Sequence, residues 1–174
     1  MHTPVIEWGR DPAVAPELTQ FFIREVNPSY ISHSEVQIGR AANFQSWAEG
    51  LDQSLESEFR EALGDGADSD AEVCIAIARS GTELVAIAIV RFVIQPTRYA
   101  VFEDLVVASA HRRQGIGEAL IRFAEEEAVR RGAAFMFLES GKGNGGAHTF
   151  FKRLGFQECS IVMAKRLHTP DESK

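Results

Sequence analysis

A chain of 174 residues, 45% of them hydrophobic and 25% charged, can bury one core but is short for two, so one domain over residues 1–174 is expected. The formal net charge of −7 argues against a general binder of nucleic acid, whose phosphates demand an excess of Lys and Arg on one face, and fits a cationic partner better. No apolar run approaches the ~20 residues needed to cross a bilayer, and residues 1–8 lack a basic region followed by an apolar one, so no membrane association and a cytoplasmic location are expected.

Residues 3–8 read as a short strand. Asp11-Pro12 then opens a helical segment whose apolar Leu18, Phe21, Phe22 and Val26 recur at helical spacing until Asn27-Pro28 stops it. Residues 29–43 are less regular. A second helix is expected over about residues 44–63, with Phe44, Trp47, Leu51, Leu55 and Phe59 on one face and Gly64-Asp65-Gly66 at its end. Residues 45–72 hold nine acids (Glu49, Asp52, Glu56, Glu58, Glu61, Asp65, Asp68, Asp70, Glu72) against one base, Arg60. That run reads as a solvated helix face and loop, or as a field that draws a cation towards a site.

Strands are expected at residues 73–79 and 84–95, paired antiparallel around Ser80-Gly81-Thr82, and at 99–107 after the Pro96-Thr97 turn. A helix over 115–131 places Leu120, Ile121, Ala124 and Ala128 on its buried side and stops at Gly132. The apolar run 134–139 suits a strand buried on both faces. The Gly-rich loop 141–146, a helix over 147–154, a last strand pair within 158–167 and a polar tail 168–174 complete the chain. Cys74 and Cys159 sit in apolar strand-like segments and read as reduced core thiols, and neither they nor the five histidines have the spacing of a metal site.

Between Phe102 and Ile121 an apolar strand ends in a basic turn and a Gly-x-Gly that opens a helix. Glycine at 115 and 117 lets a ligand approach the backbone, the first helical N–H groups lack partners within the helix, and the dipole favours an anion such as a pyrophosphate. Arg112 and Arg113 would add charge-assisted hydrogen bonds. An ordinary strand-to-helix turn is the alternative reading. Gly141-Lys142 is no Walker loop, because Met136 stands for its first glycine and Gly143 for its Ser/Thr, and a dinucleotide fingerprint fails at Leu120, where its third glycine belongs.

Arg112-Arg-Gln-Gly-Ile-Gly117 resembles the acyl-CoA-binding signature of the GNAT superfamily of N-acetyltransferases, Arg/Gln-x-x-Gly-x-Gly/Ala. Asn144-Gly-Gly-Ala-His-Thr-Phe-Phe-Lys-Arg-Leu-Gly-Phe156 resembles the helix that follows in those proteins, and the order of elements agrees. The resemblance is strong over residues 73–167, the acyl-CoA core, and holds only in outline over 1–72, the acceptor side. It implies a mixed α/β fold with a central, mostly antiparallel sheet of six or seven strands, flanked by helices and splayed between residues 105–107 and 134–139. Acetyl-CoA is the implied co-substrate. By the same resemblance the backbone of Leu105, Val106 and Val107 pairs with the pantetheine arm, that of Gln114, Gly115, Ile116 and Gly117 binds the pyrophosphate, and Asn144 contacts the arm.

The implied chemistry is direct attack of an amine on the thioester. For its base, period-two alternation puts Glu103 and Asp104 on opposite faces of their strand, and Glu103 is favoured because it shares a face with Val101 and Leu105; Glu139 is a further candidate. Phe151 departs from the family, where Tyr is common and is thought to protonate the leaving thiolate. Ser140, His148 or a water takes that role, or the thiolate leaves unassisted. Leu138-Glu-Ser-Gly, Ala147-His148 and the ending 161–167 resemble members that acetylate small-molecule amines. A peptide or protein amine, and an acyl-CoA-binding module with little turnover, are the other readings. Tyr30, Phe44 and Trp47 line an acceptor pocket or belong to the core, and the exposed last strand leaves room for a homodimer.

Overall fold

The structure, a computed structural model, describes residues 4–64, 70–94 and 97–167; Thr3, Asp65, Asp68, Gln95, Pro96 and the tail 168–174 lie outside the described residues. Alternating apolar side chains build a sheet of five strands among them: β1 (Val5–Trp8), β4 (Ala71–Ser80), β5 (Glu83–Val93), β6 (Tyr99–Val107) and β7 (Phe135–Leu138), in that spatial order. The first four pair antiparallel and β7 lies parallel to β6. Helices cover both faces of this mixed α/β sheet, as expected, with fewer strands than the six or seven predicted.

On one face lie α1 (Ala15–Glu25) and α3 (Leu51–Leu63). Asp11 begins the approach to α1 by accepting from the Ala13 N–H at 2.9 Å. Leu18, Phe21 and Phe22 then meet Leu55, Phe59, Ile75, Ile87 and Ile89 in one cluster. Burial of each such side chain contributes about 1.5–3 kcal/mol. The other face carries α4 (Ile116–Arg130), whose Leu120, Ile121 and Ala124 pack on Ala86, Ala88, Val90, Ala100 and Phe102, and α5 (Gly145–Arg153). The Gly132 N–H bonds the Val129 carbonyl and the Ala133 N–H bonds that of Ala128, which closes α4 where the sequence stops it.

Three expectations change. Residues 44–50 are not helical: β2 (Ala41–Asn43) and β3 (Ser46–Trp47) form a hairpin, and α3 starts at Leu51 after Gly50, which sits at φ 75°. Phe44 is therefore exposed, while Trp47 packs edge-on to Phe22. The strand over 134–139 is buried on one face only, because the cluster under α4 packs on β7 and the α1–α3 cluster does not reach it; Phe135 and Phe137 face out while Met136 and Leu138 pack inwards. No strand forms over 157–167, where Ile161 and Met163 are 90% and 91% exposed, and Cys159 is exposed rather than a core thiol. Within the segment read as irregular, the short α2 (His33–Gln37) appears.

Candidate functional site

β6 is the strand around which the site is built. β7 accompanies it only from Tyr99 to Phe102, opposite Phe135–Leu138, and then the two part; among the described residues no strand lies beside Glu103–Val107 on that side. Opposite the parting, the β5–β6 register shifts: Ile89 faces Asp104 and Val90 faces Phe102, leaving Glu103 as the extra residue of a bulge. The bulge breaks the alternation that was expected to separate Glu103 from Asp104. Both line one cavity of about 50 Å³ in the gap, with Tyr30, Ser32, Glu35, Leu105, Leu138, Glu139, Ser140, Asn144 and Phe151. A larger cavity of about 310 Å³ lies between α4 and α5 and holds none of the turn or bulge residues.

The floor of the smaller cavity is a buried charge network. Arg40, 5% exposed, donates through Nη1 to Asp104 Oδ2 at 2.9 Å and through Nε to Glu58 Oε2 at 2.9 Å, and its Nη2 also pairs with Glu58. Burial pulls this guanidinium down, but Asp104 and Glu58 outweigh it and hold it above its usual value. Asp104 is 2% exposed, and its other oxygen accepts from the Tyr30 hydroxyl at 2.9 Å. Burial first, then the Asp104 charge, pushes the Tyr30 phenol well up, so it stays a donor; it also accepts from the Leu105 N–H at 3.2 Å. Glu103 pairs instead with Arg91, Nε to Oε1, at 2.5 Å.

Glu35 on α2 completes the floor. Its Oε2 is buried, has no hydrogen-bond partner among the described residues, and lies 3.8 Å from Arg40 Nη1. Burial, followed by the Asp104 charge, pushes its carboxyl up to about 7 against the pull of Arg40. Sequence reasoning missed Glu35, Arg40 and Glu58 as site residues. The available signal was Arg40 itself, the one Lys or Arg in residues 27–59.

The wall opposite β6 follows β7. Gly141 lets its loop press on the turn before α2: a Cβ there would stand 2.5 Å from the Ile31 carbonyl oxygen and 2.8 Å from that of Ser29. That close approach sets Ser140 and Asn144 against the cavity, and Glu139 beside them pairs through Oε2 with His33 Nδ1 at 3.2 Å. Phe151 packs at a tilt against Phe150 and edge-on to Phe156, and it presents carbon alone to the cavity.

Beyond Val107 the chain turns into α4. Gly115 holds φ 83° as its N-cap, and no side chain caps the helix, so its first N–H groups stay available to an anion. Gly117 serves packing as well, for a Cβ there would stand 3.3 Å from Phe150. The two arginines differ. Arg112 is tied to the Val107 carbonyl at 3.1 Å and the Glu25 carbonyl at 3.0 Å, whereas Arg113 is exposed, and Gln114 bonds the Ala110 carbonyl at 3.2 Å.

Residues 40–156 match the model of the Acetyltransferase (GNAT) family. A streptothricin acetyltransferase from Streptomyces lavendulae is 33% identical over 110 residues, 63% of this chain and 57% of that protein. The [ribosomal protein bS18]-alanine N-acetyltransferase of Escherichia coli K12 is 32% identical over 79 residues, 45% of this chain and 51% of that protein. The chain thus spans about half the length of these curated relatives. The fold is shared with an aminoglycoside antibiotic 6'-N-acetyltransferase from Acinetobacter haemolyticus, at TM-score 0.67 and 19% identity, over 95% of this chain and 99% of that one. Because the family match runs through the parted strands, the helix-opening turn and the loop around Asn144, the chain belongs to the GNAT family of acetyltransferases.

Proposed function

We propose that this protein transfers an acetyl group from acetyl-CoA to the primary amine of a small cationic molecule. One observation carries the acceptor class: among the described residues four carboxylates, Glu35, Glu103, Asp104 and Glu139, line the cavity and no Lys, Arg or His does, the Arg40 guanidinium lying behind Asp104. Such a lining attracts an ammonium group and disfavours an anion. Family membership supports the donor, together with a fit between acetyl-CoA and the residues present. Beyond Phe102 no strand lies beside β6 among the described residues, so an extended arm can lie along Leu105, Val106 and Val107 by displacing Tyr30 from the Leu105 N–H and Arg112 from the Val107 carbonyl, and the uncapped α4 at Gln114–Gly117 suits a pyrophosphate. Asn144 lines the cavity between them and would hold the arm.

Acetyl-CoA supplies an acyl thioester, and the chain supplies position and proton handling. Arg113 would meet the phosphates, while Arg112 holds the turn to α1 and to the end of β6. Asp104 has both oxygens engaged, so it orients Tyr30 and Arg40 and lends its charge to the ammonium. Glu103 faces the acceptor from the bulge. Ser140 offers the hydroxyl proton that Phe151 cannot.

Calorimetry with acetyl-CoA, followed by thiol release against streptothricin, kanamycin, spermidine and a peptide beginning with Ala, tests the reading. The expected result is binding, with turnover on a small amine. Turnover on the peptide alone would favour the ribosomal-protein relative's class, and binding without turnover would favour a binding module.

A further inference from the structure

Of the four carboxylates in the cavity, Glu35 stands apart. It is 4% exposed, its Oε2 has no hydrogen-bond partner among the described residues, and it lines the cavity from the α2 side. A buried charged oxygen without a partner is costly, so native structures retain few of them. Arg40, its nearest cation, already spends Nε and Nη2 on Glu58 and Nη1 on Asp104. The other carboxylates are engaged: Asp104 by Tyr30 and Arg40, Glu103 by Arg91, and Glu139 by His33.

We propose that Glu35 is the general base of the reaction, taking the proton of the acceptor's ammonium into its unpartnered Oε2. The proposal rests on the reading of the protein as an amine acetyltransferase. An acceptor entering as an ammonium ion satisfies Oε2 and adds a positive charge where one guanidinium faces three carboxylates, Glu35, Glu58 and Asp104. One N–H bond breaks towards Glu35, and the pair left on nitrogen forms the C–N bond to the thioester carbonyl carbon as the C–S bond breaks. The second N–H proton goes to the leaving thiolate, and Glu35 returns its own to solvent.

The surroundings suit a group that exchanges a proton near neutrality. Glu103 and Asp104 face it from β6, Glu58 from α3 and Arg40 from the segment before β2. The Tyr30 hydroxyl, bonded to Asp104, and Glu139, paired with His33, line the same cavity. Burial and the carboxylates together push Glu35 up to about 7, with Arg40 opposing them.

Steady-state turnover of the amine panel across pH 5.5–9, in wild type, Glu35→Gln and Glu103→Gln, tests the assignment alongside acetyl-CoA calorimetry and ligand-free infrared titration of the carboxyl groups. Glu35→Gln should lower kcat/KM by about 10²–10⁴ and abolish the acidic limb, with acetyl-CoA affinity unchanged. A carboxyl band titrating near neutral pH should be present in wild type and absent from that variant. In Glu35→Ala, added formate should restore turnover, a dependence that a purely structural role does not produce. Retention of the limb in Glu35→Gln, its loss in Glu103→Gln instead, or persistence of the infrared band would overturn the role of Glu35 and leave the acetyltransferase reading standing. Wild-type protein that binds acetyl-CoA yet turns over no amine would overturn both.

Discussion

Replacing Glu35 by Gln keeps the side chain's shape and removes a carboxyl that the fold buries beside Asp104, Glu58 and Arg40. Its pKa rises from 4.5 in the unfolded chain to about 7 in the folded one. Below pH 4.5 the group is protonated in both states and costs nothing. Between the two values the unfolded chain has released the proton and the folded one has not, so wild-type stability falls as pH rises, by about 1.4 kcal/mol per pH unit. Above pH 7 the full penalty applies, about 3–3.5 kcal/mol. Gln carries no such dependence. Urea unfolding of both proteins should therefore give a variant more stable by only about 1 kcal/mol at pH 5 and by about 3–3.5 kcal/mol at pH 8. In a thermal scan the gap at pH 8 is about 6–14 °C for a chain of this size. Equal destabilisation of the variant at both pH values would refute the reasoning, because it would mean that the carboxylate makes bonds which stabilise the folded state. A gain in stability with a loss of turnover is the pattern of a group retained for function.

Gly115→Ala forces a Cβ onto a residue at φ 83°, which costs about 1–2 kcal/mol and displaces the N–H groups at the head of α4. Calorimetry should show acetyl-CoA binding weakened about tenfold, a loss of about 1.4 kcal/mol. Gly141→Ala meets backbone oxygens of Ser29 and Ile31 that cannot rotate away, so it should lower stability by about 1–3 kcal/mol in urea and reduce turnover by shifting Ser140 and Asn144. Burial, with Glu72 next, pushes the Cys74 thiol up to about 12, so at pH 8 iodoacetamide should label exposed Cys159 first and leave Cys74 unmodified, as read by mass spectrometry.

The sequence made the central sheet legible because each strand declares itself locally: the alternation in residues 99–107 predicts β6 to the residue, and Gly132 marks where α4 stops. The turn at 112–117 was legible because an unusual run of residues performs it. The floor of the cavity was not. α2 has five residues, too few to show a period, and Arg40 finds Asp104 across 64 positions of sequence, a pairing that no local pattern signals. Strict alternation also misplaced the Glu103–Asp104 pair, since the bulge at Glu103 contains no glycine to announce it. The apolar residues at 161–167 predict a strand by composition alone. Composition does not specify a pairing partner, and the segment lies unpaired with its large side chains exposed.

The central claim is that the parting of β6 and β7 receives acetyl-CoA beside a cavity built for an ammonium group. The most direct test is to titrate the protein with acetyl-CoA and then follow thiol release on adding streptothricin, kanamycin or spermidine. Saturable binding, followed by release that depends on one of these amines, is the predicted result. Absence of acetyl-CoA binding by a folded protein would contradict the account at its base.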